Sequence, residues 1–160
     1  MNITILCVGK LKETFYKDAL AEYAKRLSPR YASFRVTEVD DEKTAENASE
    51  KEEMLVKEKE GERLLSRIPE KAYVIALAIQ GKMLDSVELS EKLRGYMNGG
   101  RSEIIFVIGG SLGLSPAVLK RADEQWSFSK LTFPHQLMRV ILAEQIYRGF
   151  RILHHEPYHK

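Results

Sequence analysis

Three apolar runs of strand length, Ile3–Val8, Tyr73–Ile79 and Ile104–Ile108, each meet a glycine within two residues, at Gly9, Gly81 and Gly109. A run that is apolar at nearly every position has both faces buried, the condition of a strand inside a parallel sheet covered by helices on both sides. The intervening segments have helical period. Leu11–Leu27 places Tyr16, Leu20, Tyr23 and Leu27 on one face. Ala48–Arg67 is dominated by good helix formers, with Met54, Leu64, Leu65 and Ile68 supplying burial. Ser86 is a cap for a helix bearing Leu89, Leu93 and Met97, which Asn98, Gly99 and Gly100 terminate. Phe34–Val39 alternates as a second strand, Ser115-Pro116 marks a helix start, and a short strand spans Trp126–Ser129. A last helix opened by Pro134 buries Met138, Ile141, Leu142, Ile146, Phe150 and Leu153. The alternation predicts an α/β fold with a mainly parallel sheet, as one domain over residues 1–160.

A chain of 160 residues buries a core without metal or disulfide support. Its one cysteine, Cys7, sits in the first apolar run, which predicts a core thiol and a reducing compartment. No segment reaches the roughly 18 to 20 apolar residues that cross a bilayer, so no membrane association and a cytoplasmic location are expected. The net charge of +2 says little, but its distribution is uneven. Glu38–Glu62 is strongly acidic, while the C-terminal segment carries Lys130, Arg139, Arg148, Arg151 and Lys160 against Glu144 and Glu156. A polyanionic partner is expected on the C-terminal side.

The segment Trp126–Lys160 also holds the single tryptophan and all four histidines. In open α/β sheets, ligands settle beyond the carboxyl ends of the strands. Three such ends, Ala78–Lys82, Gly109–Gly113 and Phe128–Phe133, are expected to converge on one crevice. Glycines in the second serve equally a close ligand approach or a tight turn. Neither G-x-G-x-x-G after the first strand nor G-x-x-x-x-G-K-[ST] occurs, which removes the dinucleotide and P-loop readings. His154 and His155 are adjacent and Cys7 is remote, so no metal is expected, and no G-x-S-x-G elbow exists for covalent hydrolysis. What remains is a crevice of backbone loops beside an aromatic, basic tail, which suits a bulky cofactor next to a nucleic-acid substrate.

IGGSLGLS at Ile108–Ser115, SFSKLTFPHQLMRVILAEQIYR at Ser127–Arg148, the terminal PYHK, the opening VGKLKE and the strand-end LAIQGK closely resemble the large-subunit ribosomal RNA methyltransferase H family, across essentially the whole chain. That family belongs to the SPOUT class. The resemblance implies an α/β-knot fold with helices on both sheet faces and a C-terminal trefoil knot, which pattern reasoning alone would exclude. It implies S-adenosylmethionine as methyl donor, N3 of a pseudouridine in 23S rRNA of the large subunit as acceptor, and a homodimer; with so little surface beyond the catalytic domain, a dimer groove and the assembled ribosome are expected to supply specificity.

Carried onto this chain, the resemblance implies cofactor binding by Leu77, Gly109, Gly110, Phe128, Ser129, Lys130, Leu131, Thr132 and Phe133. Leu77, Leu131 and Phe133 would sandwich an adenine, and Lys130 would face RNA phosphate. N3 of pseudouridine is an imide nitrogen whose proton must leave, and a nearby cation or donor would stabilise the anion. His135, Arg139, Tyr158 and His159 are the catalytic candidates: His159 for deprotonation, Arg139 for charge or phosphate, Tyr158 for orienting the base. Arg148 and Arg151 read equally as helix-face residues, with Glu144 pairing to Arg148 at i, i+4. Two other readings use the same residues: a non-catalytic RNA- or ribosome-binding factor, and a SPOUT methyltransferase acting on tRNA.

Overall fold

The computed structural model describes residues 1–160. The apolar runs form strands of one five-stranded sheet: β1 (Asn2–Val8), β2 (Ser33–Val39), β3 (Tyr73–Met83), β4 (Glu103–Ile108) and β5 (Glu124–Ser127). Their order is β2-β1-β4-β3-β5 and every pairing is parallel. Five helices connect or follow them: α1 (Thr14–Leu27), α2 (Glu50–Leu65), α3 (Ser86–Asn98), α4 (Pro116–Arg121) and α5 (His135–Leu153). Strand alternation divides the core in two. Ile3, Ile5 and Cys7 face a larger layer with Leu20 and Leu27 of α1, Leu89 and Leu93 of α3, and Leu142, Ile146 and Phe150 of α5. Leu6 and Val8 face a smaller layer with Leu64 of α2 and Val118 of α4.

Several expected boundaries are corrected. β3 does not close at Gly81, because Leu77 and Lys82 both stand opposite Trp126 and Met83 then pairs with Ser127. The four residues between make an excursion from the ladder. A Cβ on Gly81 would lie 2.7 Å from the carbonyl carbon of Gln125, so the glycine marks a close approach of two backbones. Asp85, not Ser86, caps α3: its carboxylate accepts the Glu88 N–H at 2.7 Å and the Glu88 carboxylate accepts its own N–H at 2.8 Å. Ser86 instead donates to Gln145 of α5 at 2.7 Å. Met97 is exposed and Tyr96 takes the buried position, Met54 is exposed, and β5 begins two residues earlier than expected. Ser115 does cap α4, accepting the Val118 N–H, with Pro116 in the first turn.

β5 is short, and one carboxylate fixes it. Glu124 accepts from Tyr73 at 2.7 Å, Tyr96 at 2.8 Å, the Trp126 indole at 2.8 Å and the Lys92 ammonium at 3.1 Å. Burial alone would raise its pKa, but these donors outweigh burial and the net shift is downward. Burial, followed by the hydrogen bond to this carboxylate, pushes the Tyr73 phenol up to about 12. Cys7 is fully buried and burial pushes its thiol up to about 12, so it is an unreactive core residue. No helix is long and apolar enough to cross a membrane.

Candidate functional site

Because β3 pairs with both β4 and β5, the ends of these three strands are neighbours. Leu77 sits at the last regular pair of β3, Gly109 and Gly110 follow β4, and Phe128–Phe133 follow β5. A Cβ on Gly109 would lie 2.8 Å from the carbonyl carbon of Gly113, so the loop folds back on itself with no room for a side chain. No peptide group of Phe128–Phe133 pairs with another backbone group; the Leu131 N–H donates to the Ser129 hydroxyl at 2.9 Å, and the Ser127 hydroxyl donates to the Ser129 carbonyl at 3.0 Å. Leu131 is 69% exposed, Lys130 and Thr132 are exposed, and Leu77 and Phe133 are half-buried. Free peptide groups beside unsatisfied apolar surface are what a flat, polar-edged ligand requires.

The loop leads into α5, whose first turns carry His135 and Arg139. Arg139 is fully buried: one guanidinium nitrogen donates to Glu38 at 2.7 Å and the other to the carbonyls of Val8 at 2.9 Å and Gly9 at 2.8 Å. Glu38 also accepts the Leu11 N–H at 2.7 Å, so one ion pair ties the end of β2, the β1–α1 turn and α5 together. His135 packs toward Gly9. Burial and then the Arg139 charge hold its pKa below the ordinary imidazole value, and its buried Nδ1 has no partner. The geometry thus commits Arg139 to the fold.

The tail leaves α5 through a left-handed residue, His155 (φ 53°), and doubles back along the helix. Glu144 accepts Arg148 at 2.6 and 3.0 Å and the Tyr158 hydroxyl at 3.0 Å. The Arg148 guanidinium lies over the Tyr158 ring, 4.7 Å from its centroid, and 3.2 Å from His159 Nδ1. Burial, then the hydrogen bond to Glu144, pushes the Tyr158 phenol up to about 12, leaving it a neutral donor. Arg151 binds Glu156 and the Pro157 carbonyl, the latter at 3.0 Å. The expected basic face is therefore largely neutralised: Arg139, Arg148 and Arg151 each face a carboxylate.

These contacts split the four catalytic candidates into two pairs. Tyr158 and His159 dock on Glu144 and Arg148, nine to thirteen residues beyond His135, roughly 14–20 Å along the helix axis. Arg139 and Arg148, nine residues apart, lie on opposite faces, roughly 180° around the helix. One chain does not bring the pairs together.

A family model described as "Predicted SPOUT methyltransferase" matches residues 1–159. The chain belongs to the SPOUT methyltransferase family. Its relatives include proteins named "Ribosomal RNA large subunit methyltransferase H" from Clostridium novyi, 58% identical, and from Bacillus pumilus, 56% identical, each over 160 residues and the full length of both chains. Among solved structures, a probable methylase family protein from Haemophilus influenzae shares the fold, with a TM-score of 0.53 and 13% identity over 96% of this chain and 66% of that one. The pairing of Glu144 with Arg148 at i, i+4 is as the spacing predicts, whereas the contacts of Glu38, Glu156, Arg30 and Tyr31 leave no trace in the sequence, because each acts through a partner distant in the chain.

Proposed function

We propose that this protein transfers a methyl group from S-adenosylmethionine to N3 of a pseudouridine in 23S rRNA, acting in the cytoplasm as a homodimer on assembled ribosomes. The observation that carries this reading is 56–58% identity, without gain or loss of length, to relatives named as large-subunit rRNA methyltransferases. The crevice fits the donor: the cradle at Gly109 admits no side chain, and Leu77, Leu131 and Phe133 offer apolar faces for an adenine. Gly110 and the peptide groups of Phe128, Ser129, Lys130, Thr132 and Phe133 would hold its polar edges, with the Lys130 ammonium turned to RNA phosphate. When bound, the donor supplies an electrophilic methyl group.

The tail supplies the acceptor side. Arginine only donates, so the Arg148 hydrogen bond falls on the Nδ1 lone pair of His159; the neutral ring then carries its proton on Nε2 and serves the base as a donor, and the imide proton leaves to solvent water. Tyr158, fixed by Glu144 and Arg148, orients the base as a neutral donor, and the Arg148 guanidinium stands where negative charge on the deprotonated imide would be stabilised. Arg139 acts by holding the start of α5, beside a neutral His135. The separation of the two pairs along α5 supports the dimer, in which the partner's tail meets the donor loop of the first chain. The trefoil knot belongs to the same proposal, supported by the β3 excursion against Gln125 and Trp126 and by the return of the chain from edge strand β5 to the end of β1. The single-domain reading over 1–160 rests on the one continuous sheet.

Mass spectrometry of large-subunit rRNA from a strain lacking the protein tests the substrate, with loss of the methyl-pseudouridine signal expected. An unchanged signal refutes the assignment. Calorimetry must also register S-adenosylmethionine binding, and its absence would leave only an RNA-binding factor.

A further inference from the structure

Chain termini are usually poorly ordered unless tied down, and fixing the backbone costs about 1–2 kcal/mol per residue. The tail of this protein is tied down at two independent points. The Glu144–Arg148 pair touches Tyr158 and His159 themselves. The second point touches neither. Glu156 accepts Arg30 at 2.8 Å and Tyr31 at 2.7 Å, and also binds Arg151; its own N–H donates to the Arg151 carbonyl at 2.9 Å. Arg30 and Tyr31 lie in the turn between α1 and β2, more than a hundred residues away in sequence. Tyr31 is itself held, stacked on Phe150 at 5.4 Å and tilted against His154 at 5.2 Å. Glu156 follows the left-handed His155 and precedes Pro157, so it stands where the chain reverses direction.

We infer that Glu156, clamped by Arg30, Tyr31 and Arg151, is a positioning residue for the RNA-facing half of the site: it fixes the angle at which the tail leaves α5 and so the reach of Tyr158 and His159. The inference rests on the proposed role of that tail. Three donors, two of them from the α1–β2 turn, converge on one carboxylate at the point where the chain reverses. A purely stabilising contact would need no link to the α1–β2 turn, because the Arg151 pair within α5 and its tail already closes the helix end. A displacement of about 1 Å in a reacting group can cost on the order of a hundredfold in rate.

The test uses the full-length protein with large-subunit ribosomal particles and S-adenosylmethionine, comparing wild type, Glu156→Ala, Glu156→Gln, Arg30→Ala and the Arg30→Ala/Glu156→Ala double variant. Methyl-transfer rate, calorimetric donor affinity, Tm and hydrogen exchange of residues 154–160 are read together. Glu156→Ala is expected to lower kcat on the order of ten- to a hundredfold with donor affinity and Tm unchanged and tail exchange accelerated. Glu156→Gln should recover part of the rate, since its amide oxygen still accepts from Tyr31. The double variant should be no slower than Glu156→Ala, the mark of two groups acting as one. A Glu156→Ala protein as fast as wild type overturns the inference alone, as does a rate loss matched by equal losses in Tm and donor affinity. A wild-type protein that methylates no rRNA overturns the functional reading and takes the inference with it.

Discussion

The two halves of α5 carry the same chemistry to opposite ends. Arg139 in the first half has no exposed side-chain surface and is bonded to Glu38 and two backbone carbonyls. Arg148 in the second half is 25% exposed and bonded to Glu144, with the Tyr158 ring and His159 resting on it. Both arginines sit on one helix and pair with a glutamate, so residue type does not separate them; burial and the identity of the remaining acceptors do. Where the other acceptors are main-chain carbonyls of β1, the arginine holds the sheet to the helix. Where they are tail side chains, it organises groups that face outward.

The largest expected effect falls on the first half. Arg139→Ala strips two buried carbonyls and the one-third-exposed Glu38 carboxylate of their donor, and each buried acceptor left unsatisfied costs about 1–3 kcal/mol. At roughly 2–4 °C per kcal/mol for a chain of this size, thermal unfolding by circular dichroism should show Tm lower by roughly 10 °C. Arg148→Ala should leave Tm nearly unchanged, since a partly exposed pair contributes about 0–1 kcal/mol, yet lower methyl transfer on the order of a hundredfold. Reversal of these two outcomes, with Arg148→Ala unfolding and Arg139→Ala merely slow, would break the division.

The glycine loop after β4, two strands over from the β5 end that leads into the first half, gives a smaller, sharper test of the proposed donor site. In Gly109→Ala the new methyl would sit 2.8–2.9 Å from the Gly113 carbonyl, so the loop must shift. Overpacking of this kind costs about 1–3 kcal/mol. S-adenosylmethionine affinity by calorimetry should fall roughly tenfold or more, with the tail contacts intact. Full affinity would show that the glycine serves the turn and not the ligand.

Much of this was written locally and some was not. Runs apolar on both faces could only be inner strands of a covered sheet, and glycines at the ends of β1 and β4 marked where the backbone turns away. The β3 excursion was hidden because its residues look like a strand ending at a glycine. Asp85 and Ser86 are both good caps; only the Glu88 three residues after Asp85 distinguishes them, as a capping box. Tyr96 and Met97 differ by one step of helix phase, which a four-turn pattern does not resolve. That the ends of β3, β4 and β5 are neighbours could be expected from strand ends rich in small and polar residues, whereas the grip of Arg30 and Tyr31 on Glu156 joins residues about 125 apart and leaves no periodic trace. Glu38 reads as one more charge in an acidic stretch until the fold places it on Arg139.

The smallest effect concerns His135, the one titrating group in the first half whose charge changes near neutral pH. Burial and then the Arg139 charge lower its pKa beneath the ordinary value of 6.5, while Asp41 opposes them. Above 6.5 the imidazole is neutral in both folded and unfolded chains and contributes nothing to the pH dependence. As the pH falls through 6.5 the unfolded chain takes up a proton that the folded chain refuses, so stability declines until the lower folded pKa is reached and then levels off. His135→Gln removes that decline, and its Tm should exceed the wild-type trend only below pH 6.5. The second half behaves otherwise, since Tyr158 stays a neutral phenol until about 12 and gives no slope in this range. Unfolding scans of the two proteins between pH 5 and 8 separate the halves: parallel curves would mean that His135 is protonated as readily in the fold as in water, and that the start of α5 is less enclosed than Arg139 makes it.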